Sequence, residues 1–224
     1  MKKSSDIIDT IELDTGPSPD ATVIWLHGLG ADGNDFVPVV PALRLPKRLA
    51  LRFVFPHAPV RPVTLNMGMP MRAWFDIHAL RGAREDDTGI RAAQQTLEEL
   101  IANEQARGIA ANRIVLAGFS QGGAIALQAG LRHGQRLGGV MALSTWLPLA
   151  VTLAAERAAA NADVPIFMAH GQHAPMIGID IAQDSRAALI ANGYRPEWHE
   201  YPMAHEVCME EIAAIGRWLE RLLG

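Results

Sequence analysis

Along the chain, continuous apolar runs alternate with stretches in which apolar residues recur every three or four positions. The runs are 21–26 (ATVIWL), 51–56 (LRFVFP), 113–118 (RIVLAG), 139–143 (GVMAL) and 164–169 (VPIFMA). Their length and β-branched content predict buried strands. Residues 194–201 (YRPEWHEY) read as a weaker extended segment and 6–13 (DIIDTIEL) as an antiparallel edge strand. Between the runs, Ile90, Ala93, Leu97, Leu100 and Ile101 share one face of a helix ending near Gly108, and 178–192 is helix-like. Cys208, Ile212, Ile215, Leu219 and Leu222 step by four, three, four and three. That spacing predicts an amphipathic C-terminal helix with Cys208 packed in the core. Strands that are apolar throughout, alternating with helices, predict an α/β fold. The central sheet should be mostly parallel, with helices on both faces. The 224 residues suit a single domain spanning 1–224.

Residues 56–88 break the alternation. They are rich in Pro, Met and Gly and show little periodicity. Long excursions inside compact domains tend to be functional, and this one is expected to wall an active site. Trp74 and Met67 are its candidate substrate-binding residues, because aromatic rings and flexible thioethers suit an acyl chain. Simple core packing would account for them equally well. Asp86-Asp87 is placed to favour a helix N-terminus.

The strongest chemical signal is Gly118-Phe119-Ser120-Gln121-Gly122, a G-x-S-x-G pattern between a predicted strand and the apolar helix beginning at Ala124. A strand that reverses sharply into a helix lifts the serine to the apex of a strained turn. Residues two before and two after then crowd together, and glycine removes the Cβ at both. The helix N-terminus points free N–H groups at the serine. An earlier turn, His27-Gly28-Leu29-Gly30, follows the strand 21–26 and can bring a second backbone donor. The expected oxyanion donors are the Leu29 and Gln121 N–H groups.

Eight histidines compete for the role of base. Serine hydrolases built on this turn run in the order nucleophile, acid, histidine, with the histidine after the last strand. His205 fits, lying between the segment 194–201 and the last helix. His199, inside the strand pattern, reads as structural. His170 and His173, three apart, lack the accompanying Cys or carboxylate cluster that a metal site needs, so no metal is expected.

Charge and cysteine content narrow the remaining classes. A net charge of −4 without a Lys/Arg tract gives no electrostatic reason to bind nucleic acid. Cys208 is the one cysteine, so no internal disulfide can form. The N-terminus carries two lysines but no apolar run behind them, and no window nears the length of a membrane span. A cytoplasmic protein without stable membrane insertion is expected. A homodimer stays open.

Taken in order, LHGLGADGNDF (26–36), FPHAP (55–59), AWFDI (73–77), AGFSQGGAIAL (117–127), LSTWLP (143–148), HGQH (170–173) and AHEVCMEEI (204–212) resemble the carboxylesterase and acyl-protein thioesterase family, the phospholipase–carboxylesterase group of α/β hydrolases. The resemblance runs from about 22 to 222. It implies a cofactor-free α/β hydrolase acting on short to medium acyl esters, lysophospholipids or acyl thioesters. It also implies a triad aspartate in a pattern like H-G-x-x-D-P. The matching residues here are His170-Gly171-Gln172-His173-Ala174-Pro175, with Ala174 at the position of the acid. Alanine cannot accept the Nδ1–H bond that orients the histidine, a loss on the order of 10⁴-fold in rate.

Three readings of Ala174 stay open. It is a replacement introduced into an otherwise intact enzyme; or the chain is a natural weak enzyme or silent acyl-binding protein; or another carboxylate, Asp180 or Asp184, orients His205. The completeness of the other motifs favours the first. The expected chemistry is double displacement: Ser120 attacks the acyl carbonyl, His205 carries the proton, and water frees the acyl group. A peptidase is a third class, without an evident charged pocket for peptide termini.

Overall fold

The computed structural model describes residues 8–78 and 85–224. Among the described residues seven strands form the main sheet: β1 (Thr10–Asp14), β2 (Ala21–Leu26), β3 (Leu51–Pro56), β6 (Ile114–Phe119), β7 (Gly139–Leu143), β8 (Ile166–Gly171) and β9 (Glu197–Tyr201). Two short strands, β4 (Val60–Pro62) and β5 (Pro70–Arg72), pair apart from it. The helices are α1 (Val39–Ala42), α2 (Asp87–Ala106), α3 (Gln121–Gly130), α4 (Leu153–Glu156), α5 (Ile179–Ala191) and α6 (Met209–Leu223).

The sheet order is β1-β3-β2-β6-β7-β8-β9, with β1 antiparallel and the remaining pairs parallel. The mostly parallel α/β architecture is the one the apolar runs predict. The chain winds outward from β2 to β3 and returns on the other side at β6. A crevice opens where the winding direction reverses, outside the carboxyl ends of the strands. Leu26 pairs with Gly118 there, so the turns after β2 and β6 leave the sheet side by side.

Alternation along each strand divides the core. Ile24, Leu26, Leu116, Val140 and Met168 face Ile90, Leu97, Ile101, Ile125 and Leu189. Val23, Trp25, Val115, Ala117, Met141 and Phe167 face Ile212, Ile215, Trp218 and Leu219. Full burial of each such side chain contributes about 1.5–3 kcal/mol, which is why strands that are apolar on both faces hold the centre.

The excursion 56–88 has more structure than its composition predicts. It holds the β4–β5 pair and a 3₁₀ turn at Thr64–Asn66, and residues 79–84 of it lie outside the described residues. Residues 6–7 of the predicted edge strand also lie outside, and β1 starts at Thr10. Asp86 caps α2, accepting from the Gly89 N–H at 2.9 Å, and it also accepts from the Asp76 N–H at 2.9 Å. The capping carboxylate thus ties the excursion to the helix.

Cys208 corrects the helical reading. It is the half-buried N-cap residue of α6, ahead of the first helical turn, rather than a core position within it. The periodic match arises because a cap residue sits on the same face as the fourth helical residue. Glu211, three positions on, is the acid of a capping-box spacing and is fully buried. Burial pushes its carboxyl from 4.5 up to about 8, against the pull of the Cys208 N–H. A carboxyl raised in the folded state stabilises the fold at acid pH and loses that contribution as pH climbs from 4.5 towards 8. Thermal unfolding should therefore shift to lower temperature between about pH 5 and pH 8, and Glu211→Gln should remove most of that shift in a melt series.

Candidate active site

Ser120 stands between β6 and α3 with φ 53° and ψ −121°. That backbone is costly for a residue with a Cβ, of order 1–3 kcal/mol, and persists only where neighbours over-determine it. The neighbours do so by close approach. A Cβ on Gly118 would lie 2.2 Å from the Gly122 carbonyl carbon, and one on Gly122 would lie 2.4 Å from Leu26 O. The Ser120 N–H donates to Leu143 O at 2.8 Å, and Thr145 Oγ1 donates to Ser120 O at 2.6 Å. Strand β7 thereby holds the turn from the other side.

His205 reaches this serine from the loop between β9 and α6, with Nε2 and Oγ 3.0 Å apart. Its ring packs on Phe119, centroids 4.8 Å apart. The loop is clamped to the end of β8: the His173 N–H donates to Met203 O at 3.0 Å, and a Cβ on Gly171 would lie 2.1 Å from Ala204 O. The other ring nitrogen, Nδ1, is buried without a hydrogen-bond partner among the described residues. Ala174, in the turn after β8, is 8% exposed, and its methyl side chain brings no acceptor. Burial, with a smaller contribution from nearby His170, lowers the His205 pKa from 6.5 to about 4. Among the described residues no carboxylate, Asp180 and Asp184 included, offsets that burial or meets Nδ1.

The turn after β2 is equally fixed. His27 accepts the Ala58 N–H at Nε2 (3.0 Å), which leaves Nδ1 as donor to Gly28 O at 2.7 Å. Burial lowers its pKa, which favours the neutral ring, and the two hydrogen bonds set the tautomer. The Gly30 N–H donates to Arg72 O at 2.9 Å, and Gly30 has φ 79°. A Cβ on Gly28 would sit 3.4 Å from that of Ser120, so the two turns nearly touch. Among the described residues, neither the Leu29 N–H nor the Gln121 N–H meets an acceptor.

The side chain of Gln121 has a role that pattern reading did not assign. It is fully buried, accepts the Trp74 N–H at 2.7 Å and donates to Phe75 O at 2.8 Å. It therefore fixes the first residue of α3 against the excursion. Trp74 is buried at 2% exposure, its Nε1 donating to His27 O at 2.9 Å. Met67 is 86% exposed. Neither residue lines the cleft at Ser120.

That cleft, about 180 Å³, is lined by Leu29, Leu65, Ile77, Phe119, Trp146 and Ile177 beside Ser120 and His205. Leu65 and Ile77 come from the excursion, which supplies the wall through other residues than those singled out. Trp146 and Ile177 come from the turns after β7 and β8. The rule that ligands gather beyond strand carboxyl ends is the signal that could have found them.

The fold is that of the α/β hydrolases. The chain belongs to the phospholipase/carboxylesterase family, whose model matches residues 12–223. It is 41% identical over 213 residues to an acyl-protein thioesterase 1 of Neurospora crassa, covering 90% of this chain and 87% of that one. It is 39% identical over 225 residues to the Mycosarcoma maydis protein of the same name, covering 93% and 94%. Among solved structures, acyl-protein thioesterase 2 of Zea mays superposes with a TM-score of 0.86 at 31% identity, covering 96% of this chain and 99% of that one. SOBER1 of Arabidopsis thaliana gives 0.86 at 29%, covering 91% and 99%.

Replacing Gln121 by leucine would leave the buried Trp74 N–H and Phe75 C=O unpaired. Gln121→Leu is expected to cost about 2 kcal/mol or more in denaturant unfolding.

Proposed function

We propose that this chain is a serine esterase or thioesterase that hydrolyses short to medium acyl esters, acyl thioesters or lysophospholipids through an acyl-enzyme. The observation that carries the reading is the 3.0 Å approach of His205 Nε2 to the hydroxyl of Ser120, held at the apex of a strained turn. Ser120 attacks the acyl carbonyl. His205 takes the hydroxyl proton and returns it to the leaving alcohol or thiol, and water then releases the acid. The Leu29 and Gln121 N–H groups hold the oxyanion, each worth about 3–4 kcal/mol in the transition state. The apolar cleft supports an acyl chain as the part recognised, and the names of the similar thioesterases support the same substrate class.

Turnover in this chain is expected to be weak, and Ala174 is the reason. For Nε2 to accept the serine proton, the ring's own hydrogen must sit on Nδ1. There it is buried without an acceptor, at a cost of about 1–3 kcal/mol. The tautomer with hydrogen on Nε2 leaves Nδ1 an unpaired acceptor and offers Ser120 a donor instead of a base. Absence of the acid thus lowers both the productive fraction and the stability of the imidazolium. A silent acyl-binding protein is the second reading, and the same unpaired Nδ1 favours it.

A serine-directed phosphonate and p-nitrophenyl acetate separate the two readings. Labelling and slow hydrolysis are expected, both abolished by Ser120→Ala. Ala174→Asp should raise the rate by up to about 10⁴-fold. If Ala174→Asp stays inert while an acyl ligand still binds, the silent reading stands.

The pH profile gives an independent check. With His205 lowered from 6.5 to about 4, the base stays neutral well into acid. The acid limb of kcat/KM should then fall near pH 4. Ala174→Asp should move that limb upward, because a facing carboxylate stabilises the imidazolium.

A further inference from the structure

The walls of the cleft at Ser120 are apolar except for one residue that the chemistry above leaves unused. Asp35, between β2 and α1, lines the cleft along with Leu29, Ala31 and Phe119. Burial keeps His205 neutral, so Asp35 is the one lining side chain that carries a charge at neutral pH. The residue is exposed, and a guest in the cleft can reach it. Its carboxylate makes no ion pair and no hydrogen bond among the described residues. Arg72 and His57 act on neighbouring Asp32, and neither shifts Asp35. Burial, and then the charge of Asp32, raise the Asp35 carboxyl above its ordinary 3.8, the direction expected of an anion that lacks a cation. Asp35 does not stand in for the missing acid, because His205 is shifted by burial and His170 alone.

Packing indicates which part of a substrate meets this carboxylate. Phe36, next in sequence, contacts Phe119 with ring centroids 5.7 Å apart, and Phe119 contacts His205 at 4.8 Å. Asp35 thus belongs to the flank of the cleft built on the histidine ring. Leu65, Ile77 and Trp146 form a separate apolar wall: the Leu65 N–H donates to Ile77 O at 2.8 Å, and Trp146 packs edge-on against Phe75 at 6.0 Å. His205 must deliver its proton to the leaving atom, which puts the leaving group on the histidine flank. We propose that Asp35 selects substrates whose leaving alcohol or thiol carries a cationic group, such as a quaternary ammonium or an amine. The acyl chain lies along the apolar wall, and the cation pairs with the Asp35 carboxylate. Asp35 moves no proton. It acts as a fixed charge between low-dielectric walls, where its field reaches a guest with little screening. The inference rests on the Ser120–His205 reading above and names the leaving-group class for it.

The test compares acetylthiocholine with its uncharged carbon isostere, 3,3-dimethylbutyl thioacetate, in the chain as it stands and in Ala174→Asp. The two thiols differ in intrinsic reactivity, so the quantity to read is the change in the ratio of their kcat/KM values on substitution of Asp35. Asp35→Asn is expected to lower the thiocholine-to-isostere ratio by about three- to fivefold at low salt, the size of one partly solvated ion pair. Sodium chloride should shrink the difference between parent and variant. Asp35→Glu should keep the parent ratio, and Asp35→Lys should lower it beyond the asparagine value. Both substrates are read in one preparation, so a partly unfolded variant does not alter its ratio. An unchanged ratio in Asp35→Asn, with both thioesters turned over, overturns the proposal and leaves the esterase reading standing. So does an equal loss on both substrates, which marks Asp35 as structural. Absence of turnover in both backgrounds ends the proposal, and if Ser120 also takes no phosphonate the esterase reading ends with it.

Discussion

Close approach of backbone to backbone at the switch point governs this molecule. The Gly122 position lies against the carbonyls of Leu26 and His27, and Gly118 lies against Gly122, at separations that admit no Cβ. Those contacts bring the ends of β2 and β6 into one place. They also leave Ser120 no ordinary backbone conformation, so its positive φ follows from the packing around it. The adjacent N–H groups of Leu29 and Gln121, the seat of the His205 ring on Phe119 and the mouth of the cleft are all built on that junction. A side chain at either glycine would separate the layers before any chemistry could begin.

Much of this was legible from the residues. The runs 21–26, 51–56 and 139–143 are strands over the same residues. They are apolar throughout because both faces are covered, and such a run has few other solutions. The runs at 113–118 and 164–169 are displaced by one and two residues, since polar or proline starts give strand ends no sharp signal. The Ser120–His205 approach spans 85 positions but is marked by a turn motif and by the order of the site residues along the chain. What stayed illegible carries no such mark. The hold of Gln121 on Trp74 and Phe75 links residues more than forty positions apart, and no periodicity encodes that. Trp74 and Met67 were singled out by chemical type alone, which cannot tell a ring tied to a backbone carbonyl from one lining a cleft. Cys208 shows the converse error, a correct face with the wrong side of a helix boundary.

The candidate base illustrates how one missing oxygen acts through the ring. His205 is held by its loop, by Phe119 and by Ser120, so its position survives without an acid. Its electronic state does not have the same support. Burial penalises the charged ring, and among the described residues no carboxylate offsets it. Position and protonation are thus separate inheritances of the fold, and only the first is secured by packing.

The Gln121 clamp carries a consequence for how the cleft treats large molecules. The same residue contributes the amide at the head of α3 and, through its side chain, grips the wall that bears Ile77. A guest wide enough to push that wall outward also pulls on the head of α3, beside Ser120. Under the proposed esterase chemistry, girth is then penalised at an oxyanion donor as well as on entry, and one glutamine favours slender chains twice.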